Sequence, residues 1–254
     1  MTLHHQIQGQ GAPLIILHGL FGSSDNWRNI ATQLSEGRKV ISVDLPNHGQ
    51  SPHTDNVSYQ AMADAVANLI KELGLKRVDI LGHSIGGKVA MTLTANYPEQ
   101  VQSLIVVDMA PKRYPDRHSD IFDALLAVDL PKLTRRSEAD VVLAKTIFNK
   151  AIRQFLLMNL VKRNEQLKWQ LNLTVLAQQY PKLIEAVCEG ISIKRSSLFI
   201  RGALSDYIED DDVTLIKQQF SDTNIVTIEK AGHWVHAEKP DEFLSTVEAF
   251  LRHD

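Results

Sequence analysis

The chain has one cysteine, Cys188, so no disulfide can form within it and the fold must be held by non-covalent packing. A lone thiol fits a reducing compartment, and the expected location is the cytoplasm. No apolar run approaches the roughly 18 residues that span a bilayer. The opening MTLHHQIQGQGAP lacks the basic and apolar regions of a secretory signal. There are no repeats, low-complexity tracts or lipidation motifs. Charge is nearly balanced, 27 Lys and Arg against 30 Asp and Glu for a net of −3, which points away from nucleic acid and anionic membranes as partners. His4-His5 has no carboxylate or cysteine at ligand spacing, so no metal is expected, and no organic cofactor is needed.

What is present is a core. Hydrophobic residues make up 44% of 254, enough for one large domain or a domain with an insertion. TLHHQIQG reads as a short first strand. PLIILHG (13–19), KVISVDL (39–45), RVDILGH (77–83) and VQSLIVVDMA (101–110) read as strands apolar on both faces. NWRNIATQL and SYQAMADAVANLIKELG read as intervening helices, the second with Ser58 as N-cap and Gly74 past its end. This alternation predicts an α/β fold with a mostly parallel sheet covered on both sides. From 112 to 190 the rhythm stops and the apolar spacing is helical, as expected of an inserted cap over a core of 1–111 and 191–254. The alternation resumes with SSLFIRG, a helix near 209–220, NIVTIEKAG and a final helix from Pro240 to Arg252.

Gly82 to Gly87, GHSIGG, fits G-x-S-x-G at a strand-to-helix turn. So tight a turn forces Ser84 to φ > 0 and lifts its hydroxyl clear, and the flanking glycines avoid collisions across the bend. The hydroxyl needs a base. His233, directly after the last strand, is the candidate, and His236 is a weaker rival expected to pack beneath the loop. Either of two strand-end carboxylates could orient the imidazole. Asp108 closes a wholly apolar run; Asp206 lies four residues after Gly202, where G-x-x-D spacing would put Ser205. The amides of Leu20 and Ile85, with Phe21 as the alternative to Leu20, are the expected oxyanion donors, and His18 supports their loop. Gly19, Asp44, Ser84, Asp108, Asp206 and His233 all fall at or just past strand ends, where such sheets bind ligands.

With these pieces in order, the segments HGLFGSSDNW, DLPNHGQSP, GHSIGGKVAM, VVDMAP and GHWVHAEKP resemble the α/β-hydrolase superfamily, most nearly the YbfF-like esterases and their mitochondrial relatives. The resemblance implies an α/β-hydrolase fold with the helical cap inserted after strand β6. It also implies a serine esterase or thioesterase acting on small or acyl-chain esters, and supports Asp108 as the acid. Pro46 stands where the family often has arginine in D-x-R-N-H-G.

The cap holds 13 Lys/Arg and 9 Asp/Glu, so it is net +4 over a body of net −7. It could steer an anionic ester such as an acyl-CoA, with Arg135 and Arg136 as the residues to test, or simply present solvated helix faces. Phe21, Phe148, Phe155, Trp169 and Trp234 are the expected pocket residues. The expected partner is a small-molecule ester or thioester, with no nucleic acid and no membrane span. A carbon–carbon hydrolase or proton-transfer lyase on the same triad, and a non-catalytic binding module, are the competing readings.

Overall fold

The computed structural model describes residues 2–252; Met1, His253 and Asp254, the ends of the expected core, lie outside the described residues. Seven strands form one sheet: β1 (His5–Gln8), β2 (Pro13–Leu17), β3 (Lys39–Val43), β4 (Val78–His83), β5 (Val101–Val107) and two later strands, β8 (Ser197–Gly202) and β9 (Thr223–Ile228). Their order is β1-β3-β2-β4-β5-β8-β9, with β1 antiparallel to β3 and every other pairing parallel.

Each central strand carries apolar residues on both faces because both are covered, and alternate residues enter different cores. Ile15, Leu17, Ile41, Val43, Ile80 and Val106 pack with α2 (Tyr59–Glu72) and α3 (Ile85–Asn96). Leu14, Ile16, Val40, Leu81, Ile105 and Val107 pack on the opposite face with Trp27, α1 (Arg28–Leu34) and the final helix α10 (Pro240–Arg252). The α2 cap is as expected: Ser58 Oγ accepts the Ala61 N–H at 3.2 Å, and Gly74 past its end has φ 66°.

Between Val107 and Ser197 the chain leaves the sheet. It forms α4 (Ser119–Leu126), α5 (Arg136–Leu143), α6 (Lys150–Leu157) and α7 (Leu173–Leu183). Two features depart from the sequence reading. The excursion follows β5, the fifth strand of this chain, not a sixth. It is also not wholly helical: β6 (Leu160–Arg163) and β7 (Gln166–Trp169) form an antiparallel hairpin. Its two-residue turn has Asn164 at φ 49° and Glu165 at φ 63°, the left-handed pair of a type I′ turn. Asn-Glu carries no glycine, so the usual hairpin signal was missing, and with Val161 and Trp169 only half-buried the strands showed no buried run. Back on the sheet, α8 (Asp210–Gln219) joins β8 to β9, and the short α9 (Val235–Glu238) precedes α10. No helix among the described residues is long and apolar enough to cross a membrane.

Candidate active site

The turn from β4 into α3 puts Ser84 at φ 55°, ψ −123°, a conformation that costs an ordinary residue about 1–3 kcal/mol. The surroundings fix it. Ser84 N–H donates to Val107 O at 3.1 Å, and its own carbonyl accepts from Gly87 N–H at 2.9 Å. The flanking glycines are required by different neighbours. A Cβ on Gly82 would sit 2.1 Å from the Gly86 carbonyl oxygen across the bend, as the sequence argument supposed. A Cβ on Gly86 would sit 2.5 Å from the carbonyl oxygens of Leu17 and His18, so this glycine lets α3 start against the end of β2.

Asp108 follows β5 at φ 50° and is fully buried. Its Oδ2 accepts from His233 Nδ1–H at 2.7 Å and from the Ser205 hydroxyl, and its Oδ1 accepts from Gly202 N–H at 3.1 Å. Burial raises the carboxyl to about 7, against the lowering effect of the Ser205 and Gly202 bonds. Three converging donors are matched by the carboxylate form. Asp206, the other carboxylate considered, does not meet His233. Its side chain is 66% exposed and pairs with Arg117 at 2.6 Å.

His233 lies in the loop between β9 and α9. Its ring stacks on Tyr207, 3.7 Å between centroids, and its carbonyl accepts from His83 Nε2–H at 2.9 Å. Burial lowers its pKa to about 3, helped by the charges of His118 and Arg117. The ring is therefore neutral, and Nδ1–H bonded to Asp108 leaves Nε2 with a lone pair. His236 packs beneath the loop, stacked on Trp27 at 4.0 Å.

Ser84 and His233 line the same cavity of about 430 Å³. No hydrogen bond joins them. The amides of Leu20, Phe21 and Ile85 donate to no protein acceptor among the described residues; Leu20 and Phe21 line this cavity, and Ile85 lines an adjoining recess with Leu20 and Ser84. Buried amides without partners are costly, and Leu20 and Ile85 both border Ser84 in that recess. His18 holds this loop: Nδ1–H donates to Gly19 O at 2.8 Å, while Nε2 accepts Leu45 N–H at 3.0 Å. From the excursion, Asn159 Nδ2–H donates to Phe21 O at 2.7 Å.

The cavity gathers only some of the expected residues. Phe21, Phe155 and Trp234 line it. Phe148 does not, being 85% exposed, and Trp169 borders a separate surface cleft with His53, Arg163 and Lys168. Phe148 lies in the loop before α6, where helical spacing assigns no face. Arg135 and Arg136 lie outside the cavity, one paired with Glu138 and the other bonded to Leu160 O. The excursion's arginine that does line it is Arg117, with its guanidinium 4.7 Å from the Tyr207 ring. Asp44, though at a strand end, serves as a tie, accepting Ser24 N–H at 2.6 Å and Gln50 N–H at 2.8 Å. Tyr207, Arg117 and Ser205 in its bonding role were missed. Ser205's offset from Gly202 marked a departure from pattern without saying what the hydroxyl would touch. Cys188 is pushed up to about 12 by burial, so it is an inert thiol. No group of three or more His, Cys, Asp or Glu among the described residues is arranged to hold a metal ion.

Comparison with known proteins points the same way. The family described as alpha/beta hydrolase fold matches residues 12–240. Mouse sn-1-specific diacylglycerol lipase ABHD11 is 38% identical over 246 residues, covering 94% of this chain and 80% of its own. Esterase YbfF of Escherichia coli K12 is 34% identical over 248 residues, covering 97% and 95%. A solved marine microorganism esterase superposes with a TM-score of 0.96 at 39% identity, covering 98% and 99%.

Proposed function

Starting from a chain that belongs to the α/β-hydrolase family and is a carboxylic-ester hydrolase, we propose that Ser84, His233 and Asp108 cleave the ester through an acyl-enzyme. His233 Nε2 takes the Ser84 proton as Oγ bonds to the acyl carbon. The carbonyl oxygen becomes an oxyanion held by the Leu20 and Ile85 amides, with Phe21 N–H within the same loop. His233 then passes the proton to the departing alcohol or thiol as the tetrahedral adduct collapses. Water, deprotonated by the same ring, attacks the acyl-Ser84 ester, and collapse returns the proton to Oγ and frees the acid. Asp108 holds the Nδ1–H tautomer throughout and offsets the imidazolium charge. The 2.7 Å His233–Asp108 bond, with both His233 and Ser84 on one cavity wall, is the observation that carries this reading.

Residues 112–190 act as a cap. Its inward face, Ile121, Ile152, Phe155 and Leu156, with Trp234 from the core, supports an acyl chain as the group bound in the cavity. The basic excess of the cap gives weaker support for an anionic leaving group such as that of an acyl-CoA. Arg117 is already paired with Asp206, and Arg163 and Lys168 line the outer cleft. A panel of p-nitrophenyl esters and acyl-CoAs of increasing chain length, run on the wild type and Ser84→Ala, tests the reading. Turnover of acyl esters that depends on Ser84 is expected; turnover that survives in Ser84→Ala would overturn it. A preference for acyl-CoA over neutral esters of equal chain length would select the anionic class.

A further inference from the structure

Lys88 lies one helical turn after Ser84 on α3 and is fully buried. No step of the hydrolysis uses it. No carboxylate pairs with it among the described residues; instead Nζ donates to Lys112 O at 2.8 Å and to Glu185 O at 2.6 Å. It lies 4.8 Å from the Tyr114 ring centroid and 5.5 Å from that of Tyr59. Lys112 stands where the chain departs for the cap, and Glu185 stands where it comes back. One ammonium thus grips both crossings. Their other ties lie close by: Tyr114 N–H to Ile184 O at 2.8 Å, Val187 N–H to Pro111 O at 2.9 Å, and the Tyr59 hydroxyl to Leu183 O at 2.6 Å. Burying an ammonium without a counter-ion is costly, and two carbonyls and two rings offset that only in part. An apolar side chain of equal length would avoid that cost but leave the Lys112 and Glu185 carbonyls without this donor.

We propose that Lys88 is a positioning residue that registers the cap against the nucleophile's helix, and so sets the distance between Ser84 and the acyl-binding wall of Ile121, Ile152 and Phe155. The grip also depends on pH. The titratable or charged groups facing Nζ are Tyr59 from α2, Lys112 and Tyr114 on the outgoing crossing, and Glu185 on the returning one. Burial lowers Lys88 to about 7, while both tyrosines are raised and stay neutral. The proton is bound below that value and lost above it. Burial lowers this pKa, so the gripped state holds the proton less tightly than an opened one; the neutral amine keeps its donors, and the cap tightens as pH rises.

Lys88→Met keeps the stem and removes the charge; Lys88→Arg keeps the charge. In Lys88→Met, trypsin should cut the crossings at Lys112, Arg113 and Lys182 about tenfold faster, and KM for a long-chain p-nitrophenyl ester should rise about tenfold. Turnover of p-nitrophenyl acetate should stay within about twofold, and Lys88→Arg should restore part of the long-chain KM. In the wild type, the ratio of long-chain to acetate KM should fall from about pH 6 to 8, and that fall should vanish in Lys88→Met. Equal loss on both esters with unchanged cleavage would overturn the proposal, as would no change in either. If Lys88→Met does not fold, the wild-type pH ratio and Tyr59→Phe, which frees the Leu183 carbonyl, carry the test: a flat ratio with unaltered cleavage overturns it. Absence of p-nitrophenyl ester turnover in the wild type would instead count against the Ser84 reading.

Discussion

On the sheet side of the cavity, Ser84, Asp108 and the Leu20 loop are held largely by backbone: strand ends in register, left-handed φ at Ser84 and Asp108, and glycines admitted where a Cβ would collide. On the cap side, the side chains of Arg117 and Phe155 are placed by other side chains, as in the Arg117–Asp206 pair and the Phe155–Trp234 packing at 5.9 Å. Backbone constraints allow few residue types and leave marks in a sequence. Side-chain contacts allow many. The sheet side is therefore suited to fixed chemistry and the cap side to variable substrate fit.

The comparison breaks most sharply at the sheet. Ser84→Ala should lower kcat/KM for a p-nitrophenyl ester by on the order of 10⁴-fold or more, and Asp108→Asn by about 10³–10⁴-fold, whereas Asp206→Asn should cost less than about tenfold. Steady-state kinetics of the three variants decide it; a severe loss in Asp206→Asn alone would exchange the two carboxylates. Gly86→Ala tests whether α3 needs its close approach to β2. Its new Cβ meets two carbonyl oxygens, so the urea midpoint should fall by the equivalent of about 1–3 kcal/mol, and an unchanged midpoint would show slack in the elbow. On the cap, Phe155→Ala should raise KM for long-chain esters by about tenfold and leave acetate turnover nearly unchanged. Phe148→Ala, outside the cavity, should do neither, and equal effects would erase the distinction between α6 and the exposed loop before it. The smallest effect is in the pH profile. The base works unprotonated, and burial lowers the His233 pKa, so kcat/KM should hold its plateau below pH 6.5, the value of a free imidazole. An acid limb at or above 6.5 would mean that desolvation does not control this ring.

The same division explains what the sequence made legible. The alternation of apolar strands, the Ser58 cap and the GHSIGG turn each follow from a local constraint, and all could be read with their boundaries nearly right. Asp108 was legible because an aspartate ending a run as apolar as LIVV is costly without a partner. Arg117 and Tyr207 were not, because their placement depends on how a long excursion folds back over the sheet. The hairpin at 160–169 escaped because its turn uses Asn-Glu, and Phe148 was misjudged because it falls in a loop between α5 and α6, where no periodicity says which way a side chain faces.

The stacking of Trp27 beneath His236 puts an indole 4.0 Å from an imidazole only three residues along the chain from His233. Ring stacking of this kind governs how an indole emits light. Any displacement of that loop during turnover would alter the brightness of Trp27, so the protein carries its own optical gauge of whether the base is seated. With Trp169 and Trp234 replaced by phenylalanine, Trp27 would report alone.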